Sequence, residues 1–302
     1  MNFKSPWSVI LGLLAVILAV FVVAQTFSLS ARGLEGFQQM TRFSSKRGDE
    51  NETYDEFYAD IHDKIFQVAE RTKYESEILY SNTQMDSNSV VLELGCGSGH
   101  LVADLERLGV GSILGADRST AMVNRAIPGK PTSSVKRFTE KEMSDPMAFD
   151  KARFTHILAL NREIYKHKDK IAFLRKCNYW LIPGGYLVVH LLNPLKFDAT
   201  VPLAKTAAYK AKSHISQDHK MSVINMIDME YKNSYDYDAQ TQTMKQTETM
   251  TDGASGKVRQ NEYEFYMDDN VLQHAQYAGF SVIGEYAYAS DPSQQMVFLR
   301  KM

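Results

Sequence analysis

Val90-Val91-Leu92-Glu93-Leu94-Gly95-Cys96-Gly97-Ser98-Gly99-His100 joins an apolar, strand-like run to an acidic residue and three glycines at alternate positions. Glycine has no Cβ and accepts positive φ, so a strand can turn sharply into a helix there and a ligand can approach the backbone closely. The stretch therefore predicts a nucleoside-binding turn at the end of a buried strand. Its spacing separates the cofactor classes. A dinucleotide fingerprint needs G-x-G-x-x-G, and His100 occupies the place of the third glycine, which disfavours an NAD-dependent reductase.

Outward from this turn the chain alternates strand and helix signals. Ser112 to Ala116 reads as a second apolar strand ending in Asp117, at the distance where α/β nucleotide folds place a carboxylate on ribose hydroxyls. Val135 to Phe138 is a third strand. Phe154 to Leu160 is a continuous apolar run suited to burial on both faces, followed by a helix from Lys168 to Leu181. Pro183-Gly184-Gly185 breaks that helix before a strand from Tyr186 to Leu192. Leu272 to Ala278 reads as a helix, and Ser281 to Ala287 and Gln295 to Arg300 as two closing strands. Such alternation predicts a doubly wound sheet with its ligand at the carboxyl ends of the strands.

Glu93-x-Gly95-x-Gly97-x-Gly99 resembles the first motif of the class I S-adenosylmethionine-dependent methyltransferases. Gly115 to Val123 looks like the family's second motif, and Leu181-Ile182-Pro183-Gly184-Gly185-Tyr186 like the region around its fifth strand. The resemblance spans Tyr54 to Met302, with a gap between the fifth and sixth strands. It implies an α/β fold with a doubly wound, mostly parallel, seven-stranded Rossmann-like sheet whose last strand is antiparallel. It also implies S-adenosyl-L-methionine as cofactor, with Glu93, Leu94, Gly95, Cys96, Gly97 and Gly99 at the turn and Asp117 on the ribose. Arg118 and Met122 would lie near the adenine, Glu142 and Met143 at its amino group, and Leu160 at the end of the fourth strand. Arg118 stands where the family often has an apolar residue. Lys141-Glu142-Met143 replaces Gly-Asp-Ala or Gly-Asp-Met, with Glu140 as a competing carboxylate.

Tyr54 to Lys64 resembles the cap helix that precedes the core in many small-substrate members, which makes Tyr58 a candidate cofactor contact; packing in the core is its other reading. The acceptor is expected near the ends of strands four and five, where Asn161, Tyr165 and His190 are the catalytic candidates, with Arg162 and Glu163 beside them. His190 has two readings, a base for a hydroxyl or amine and a hydrogen-bonded core histidine. Asn161-Arg162-Glu163-Ile164 lacks the N-P-P-[YF] pattern of enzymes that methylate planar amino groups. The segment 197–266 reads as an insertion covering the substrate, and from Met221 its alternation and turn signals predict an antiparallel meander.

Trp7 to Ala24 is an almost unbroken apolar run without charge, close to the minimum for a transmembrane helix; a cleaved signal peptide is the rival reading. Lys4 precedes it, while Arg32, Arg42, Lys46 and Arg47 follow, so the positive-inside rule places the remainder in the cytoplasm. The expected organisation is a tail (1–6), a single-pass anchor (7–24), a linker (25–52) and a methyltransferase domain (53–302). A net charge of −2 gives no basic excess to advertise nucleic acid. Two cysteines, Cys96 and Cys177, suggest neither a disulfide framework nor a metal site. The expected partners are a small-molecule or lipid-linked acceptor and the membrane. A non-catalytic, membrane-tethered adaptor that retains the fold is the alternative.

Overall fold

The computed structural model describes residues 42–46, 53–125, 135–137, 142–143 and 145–302. Trp7 to Ala24 lies outside the described residues, and among the described residues no helix is long and apolar enough to cross a membrane.

In chain order the elements are β1 (Arg42–Lys46), α1 (Glu56–Ile65), α2 (Val68–Asn82), β2 (Val90–Leu94), α3 (His100–Arg107), β3 (Ser112–Asp117), α4 (Thr120–Asn124) and β4 (Val135–Arg137). There follow β5 (Phe154–Ala159), α5 (Lys170–Trp180), β6 (Leu181–Leu192), a one-turn helix (Pro202–Lys205), β7 (Ser213–Ile215), β8 (Met221–Asn225), β9 (Met229–Asp238), β10 (Thr243–Asp252) and β11 (Val258–Tyr266). The chain closes with α6 (Val271–Tyr277), β12 (Phe280–Tyr288) and β13 (Asp291–Lys301).

Seven strands form one sheet in the order β12-β13-β6-β5-β2-β3-β4. β4, β3, β2, β5 and β6 pair in parallel, while β13 runs antiparallel to both β6 and β12. This is the doubly wound sheet with an antiparallel strand inserted near one edge. The strand order reverses between β2 and β5, which opens a crevice at their carboxyl ends. Thr155 clamps this junction, its hydroxyl accepting from the Val90 amide at 2.8 Å and donating to the Val90 carbonyl at 3.0 Å.

The continuous apolar runs of β5 and β6 are buried because both faces of the sheet are covered. Phe173, Leu174, Cys177 and Trp180 of α5 pack on one face, and Leu79, Leu101, Val102 and Leu105 of α2 and α3 on the other. β6 starts at Leu181, ahead of the expected Tyr186, because Leu181 already pairs with Phe154; the register then shifts before Tyr186 pairs with His156, and Gly184 has φ +75°, a conformation open to glycine.

The insertion forms a second sheet, in the order β1-β11-β10-β9-β8-β7. Strands β8 to β11 are the expected antiparallel meander, which β7 extends ahead of Met221, and β10 and β11 alternate buried and less buried residues along their length. Tyr235, Met244, Tyr263 and Phe265 join the main core. Two elements go beyond the sequence reading. Within the stretch read as a linker, β1 pairs in parallel with β11 and so satisfies an open sheet edge. α2 escaped notice because Thr72, Glu75 and Ser76 are among its buried residues, which blurs the apolar periodicity of a helix.

Candidate active site

The glycine turn leaves β2 with three left-handed residues in five: Gly95 at φ +69°, Gly97 at +56° and Gly99 at +74°. The amides of Gly95 and Cys96 both donate to the Ala116 carbonyl, which holds the turn against the end of β3. Asp117, the last residue of β3, accepts from the Gly97 amide at 2.8 Å and the Ser119 amide at 2.9 Å. Each carboxylate oxygen therefore keeps acceptor capacity for a further donor. Asp63 of α1 ties the cap to the turn, accepting from Ser98 at 2.7 Å and contacting His100 and His62 at 3.1 and 3.0 Å. Burial raises the pKa of this carboxyl, yet the hydrogen bonds from His100, His62 and Ser98 outweigh it and hold Asp63 well below the usual carboxylate range.

The crevice beside the turn is lined by Leu94, Gly95, Gly97, Asp117, Arg118, Met122, Met143 and Asn161, all but Asn161 anticipated as cofactor residues. An adjoining pocket on the other side of the turn is lined by Glu93, Cys96 and Leu160. Gly99 serves as the residue before α3. Glu142 is exposed and lines neither pocket, its neighbour Met143 facing the crevice instead; Glu140 lies outside the described residues. Tyr58 is also placed elsewhere. It is 1% exposed and its hydroxyl donates to Glu248 at 2.7 Å, deep in the insertion's packing, so it takes the core reading. The cap aromatic at the crevice is Tyr54, which precedes the helix because Asp55 caps its first turn.

Several lining residues carried no strong sequence signal. Glu163 follows β5 and approaches the turn so closely that a Cβ on Gly95 would meet its Oε2 at 2.5 Å. Lys166 lies 2.6 Å from that carboxylate and His167 3.5 Å. Burial opposes ionisation of Glu163, but Lys166 and His167 together hold its pKa well below the usual value. His167 stacks on Phe173 with ring centroids 4.3 Å apart. The signal available was only that Glu163, Lys166 and His167 follow a strand end in a doubly wound fold.

Asn161 also borders a second cavity of about 410 Å³, between the cap, the ends of β5 and β6, and the insertion. His190 lines it, with its Nδ1 accepting from the Arg162 amide at 3.2 Å. Burial first, then the charges of Arg162 and Arg71, push its pKa down to about 3. His190 is thus a neutral ring whose Nε2 carries the proton, a hydrogen-bond donor rather than a base at neutral pH. Tyr165 lines neither the crevice nor this cavity. Its hydroxyl accepts from the Leu192 amide at 3.1 Å, and burial drives its pKa up to about 12, which gives it a structural place. Among the described residues no cluster of His, Cys, Asp or Glu is arranged to hold a metal ion.

A family model described as a methyltransferase domain matches residues 91–185. A ubiquinone biosynthesis O-methyltransferase from Chelativorans sp. (strain BNC1) is 34% identical over 104 residues, 34% of this chain and 40% of that protein. Its counterpart from Bradyrhizobium diazoefficiens is 36% identical over 107 residues, again 34% and 40%. This chain spans about 40% of the length of these curated relatives. Among solved structures, the CcbJ methyltransferase from Streptomyces caelestis superposes with a TM-score of 0.57 at 16% identity, covering 76% of this chain and 89% of that one. An S-adenosylmethionine-dependent methyltransferase from Clostridium acetobutylicum gives 0.55 at 12% identity, covering 81% and 97%. The chain therefore has the Rossmann-like fold of the class I methyltransferases, and residues 91–185 are the part that matches the methyltransferase-domain model.

Proposed function

We propose that this protein is an S-adenosylmethionine-dependent methyltransferase acting on a small or lipid-linked acceptor. The observation that carries this reading is the pairing of the glycine turn with Asp117 at the switch point of the sheet, within a sequence matched by the methyltransferase domain model. The donor set suits the cofactor: a side-chain-free backbone for close approach, a carboxylate with spare acceptor capacity for ribose hydroxyls, and Met122 and Met143 as apolar contacts for adenine. When bound, the cofactor supplies a sulfonium methyl group; its sulfur keeps the electron pair of the broken bond as the acceptor forms the new one. The chain's contribution is alignment and exclusion of water, because an in-line displacement on an activated carbon gains most from proximity. Asn161, shared by the crevice and the second cavity, stands where the two ligands would meet.

The apolar run from Trp7 to Ala24 supports a single-pass anchor, and the charges after it support a cytoplasmic domain, which would bring membrane-borne acceptors within reach. The primary test is calorimetric titration of S-adenosylhomocysteine into the 302-residue chain, with Gly97→Arg as control. Micromolar binding that the variant loses is the expected result; a folded chain that does not bind would favour the non-catalytic adaptor.

A further inference from the structure

The second cavity has a definite chemical character. Phe66, Phe197, Tyr235 and Tyr288 give it aromatic walls, and its volume of about 410 Å³ falls within the range of small-molecule sites. Two buried side-chain nitrogens of residues that line it have no partner at hydrogen-bond distance: Arg71 Nε and His190 Nε2. Buried polar atoms are rarely left so, and their convergence on one cavity marks a place for a ligand atom. Both are donors by chemistry. Arg71 Nε always carries hydrogen and is 3.6 Å from Glu75, too far for a hydrogen bond. His190 Nε2 carries hydrogen because Nδ1 is occupied as an acceptor.

The charges around the cavity point the same way. Arg162 lines it too, donating to the Tyr235 hydroxyl at 2.6 Å with its guanidinium 4.7 Å from the Phe265 ring centre. Of the carboxylates lining it, Glu75 already accepts from Tyr288 at 2.7 Å and Asp198 is paired with Lys205 at 2.8 Å; Glu70 is exposed. A cationic amine would face two arginines, whereas an oxygen carrying negative charge would meet donors.

Resting on the methyltransferase reading, we propose that this cavity binds the acceptor as an unsaturated ring compound bearing a phenolate, enolate or ring-carbonyl oxygen. The oxygen takes hydrogen bonds from Arg71 and His190, and the ring packs among Phe66, Phe197, Tyr235 and Tyr288.

The test uses the 302-residue chain and 4-nitrocatechol, whose visible absorption changes on ionisation and binding, titrated in the presence of S-adenosylhomocysteine. Binding of S-adenosylhomocysteine is measured first by calorimetry; its absence would sink the methyltransferase reading itself. Given that binding, 4-nitrocatechol should saturate, and benzylamine at equal concentration should not displace it. Arg71→Met should weaken the nitrocatechol about tenfold, the loss of one charge-assisted hydrogen bond, while leaving S-adenosylhomocysteine affinity within threefold. His190→Leu should do the same, and Arg71→Met keeps the test decisive if the buried leucine variant misfolds. No saturable nitrocatechol binding, displacement by benzylamine, or unchanged affinity in Arg71→Met would overturn the proposal.

Discussion

Replacing Asp117 by Ala tests the cofactor reading at its best-defined atoms. The wild-type carboxylate accepts two backbone amides, from Gly97 at 2.8 Å and Ser119 at 2.9 Å, and so fixes both the glycine turn and the start of α4. Each oxygen retains capacity for a ribose hydroxyl. Two hydrogen bonds to a charged group, at about 1.5 kcal/mol each, amount to about 3 kcal/mol, or roughly a hundredfold in the affinity for S-adenosylhomocysteine. Removing the acceptor of two amides at a half-buried position should lower stability by a further 1–3 kcal/mol or so. Calorimetry of S-adenosylhomocysteine binding and urea unfolding of the same preparation separate the two effects. A folded Asp117→Ala variant that binds within threefold of wild type would refute the assignment of this carboxylate to the cofactor.

Gly95→Ala should both strain the turn, at φ +69°, and drive a methyl into Glu163 Oε2; a lowered melting temperature and at least tenfold weaker S-adenosylhomocysteine binding are expected. Tyr58→Phe should cost about 1–2 kcal/mol in urea unfolding, because Glu248 loses one of three tyrosine donors, yet leave cofactor affinity unchanged; a large loss of affinity would return Tyr58 to the cofactor site. Stability should fall on acidification below pH 6.5. Above that pH, His190 is neutral in folded and unfolded chains alike; between 6.5 and about 3 only the unfolded chain takes up the proton, at about 1.4 kcal/mol per pH unit. Asp63 adds to the loss once the pH drops below the ordinary carboxylate range, since only its unfolded form is then protonated. Unfolding midpoints measured from pH 7.5 to 5 should show this slope, shallower in His190→Leu, where His156 and His167, whose pKa values burial also lowers, still contribute.

The parallel core was legible because its signals are local. β2, β3, β5 and β6 are short apolar runs bounded by glycine, proline or an acidic end, and the turn at Gly95, Gly97 and Gly99 needs a conformation that few other residues accept. α2 was illegible for the converse reason. Its buried face includes Thr72, Glu75 and Ser76, whose burial depends on partners far along the chain: Asp104 bonds Thr72, and Tyr288 bonds Glu75.

For this protein the sequence alone determined the sheet type, the glycine turn and the carboxylate at Asp117, since each follows from backbone sterics and apolar pattern within a few residues. Only the tertiary structure decided which aromatic residue of the cap reaches the crevice, that the Tyr165 hydroxyl bonds the Leu192 backbone outside both pockets, and that His190 offers a hydrogen-bond donor. It also brought Arg71 and His190 to one cavity. Those outcomes depend on contacts between residues 27 to 213 positions apart, where burial and neighbouring charge, rather than residue type, set the chemistry.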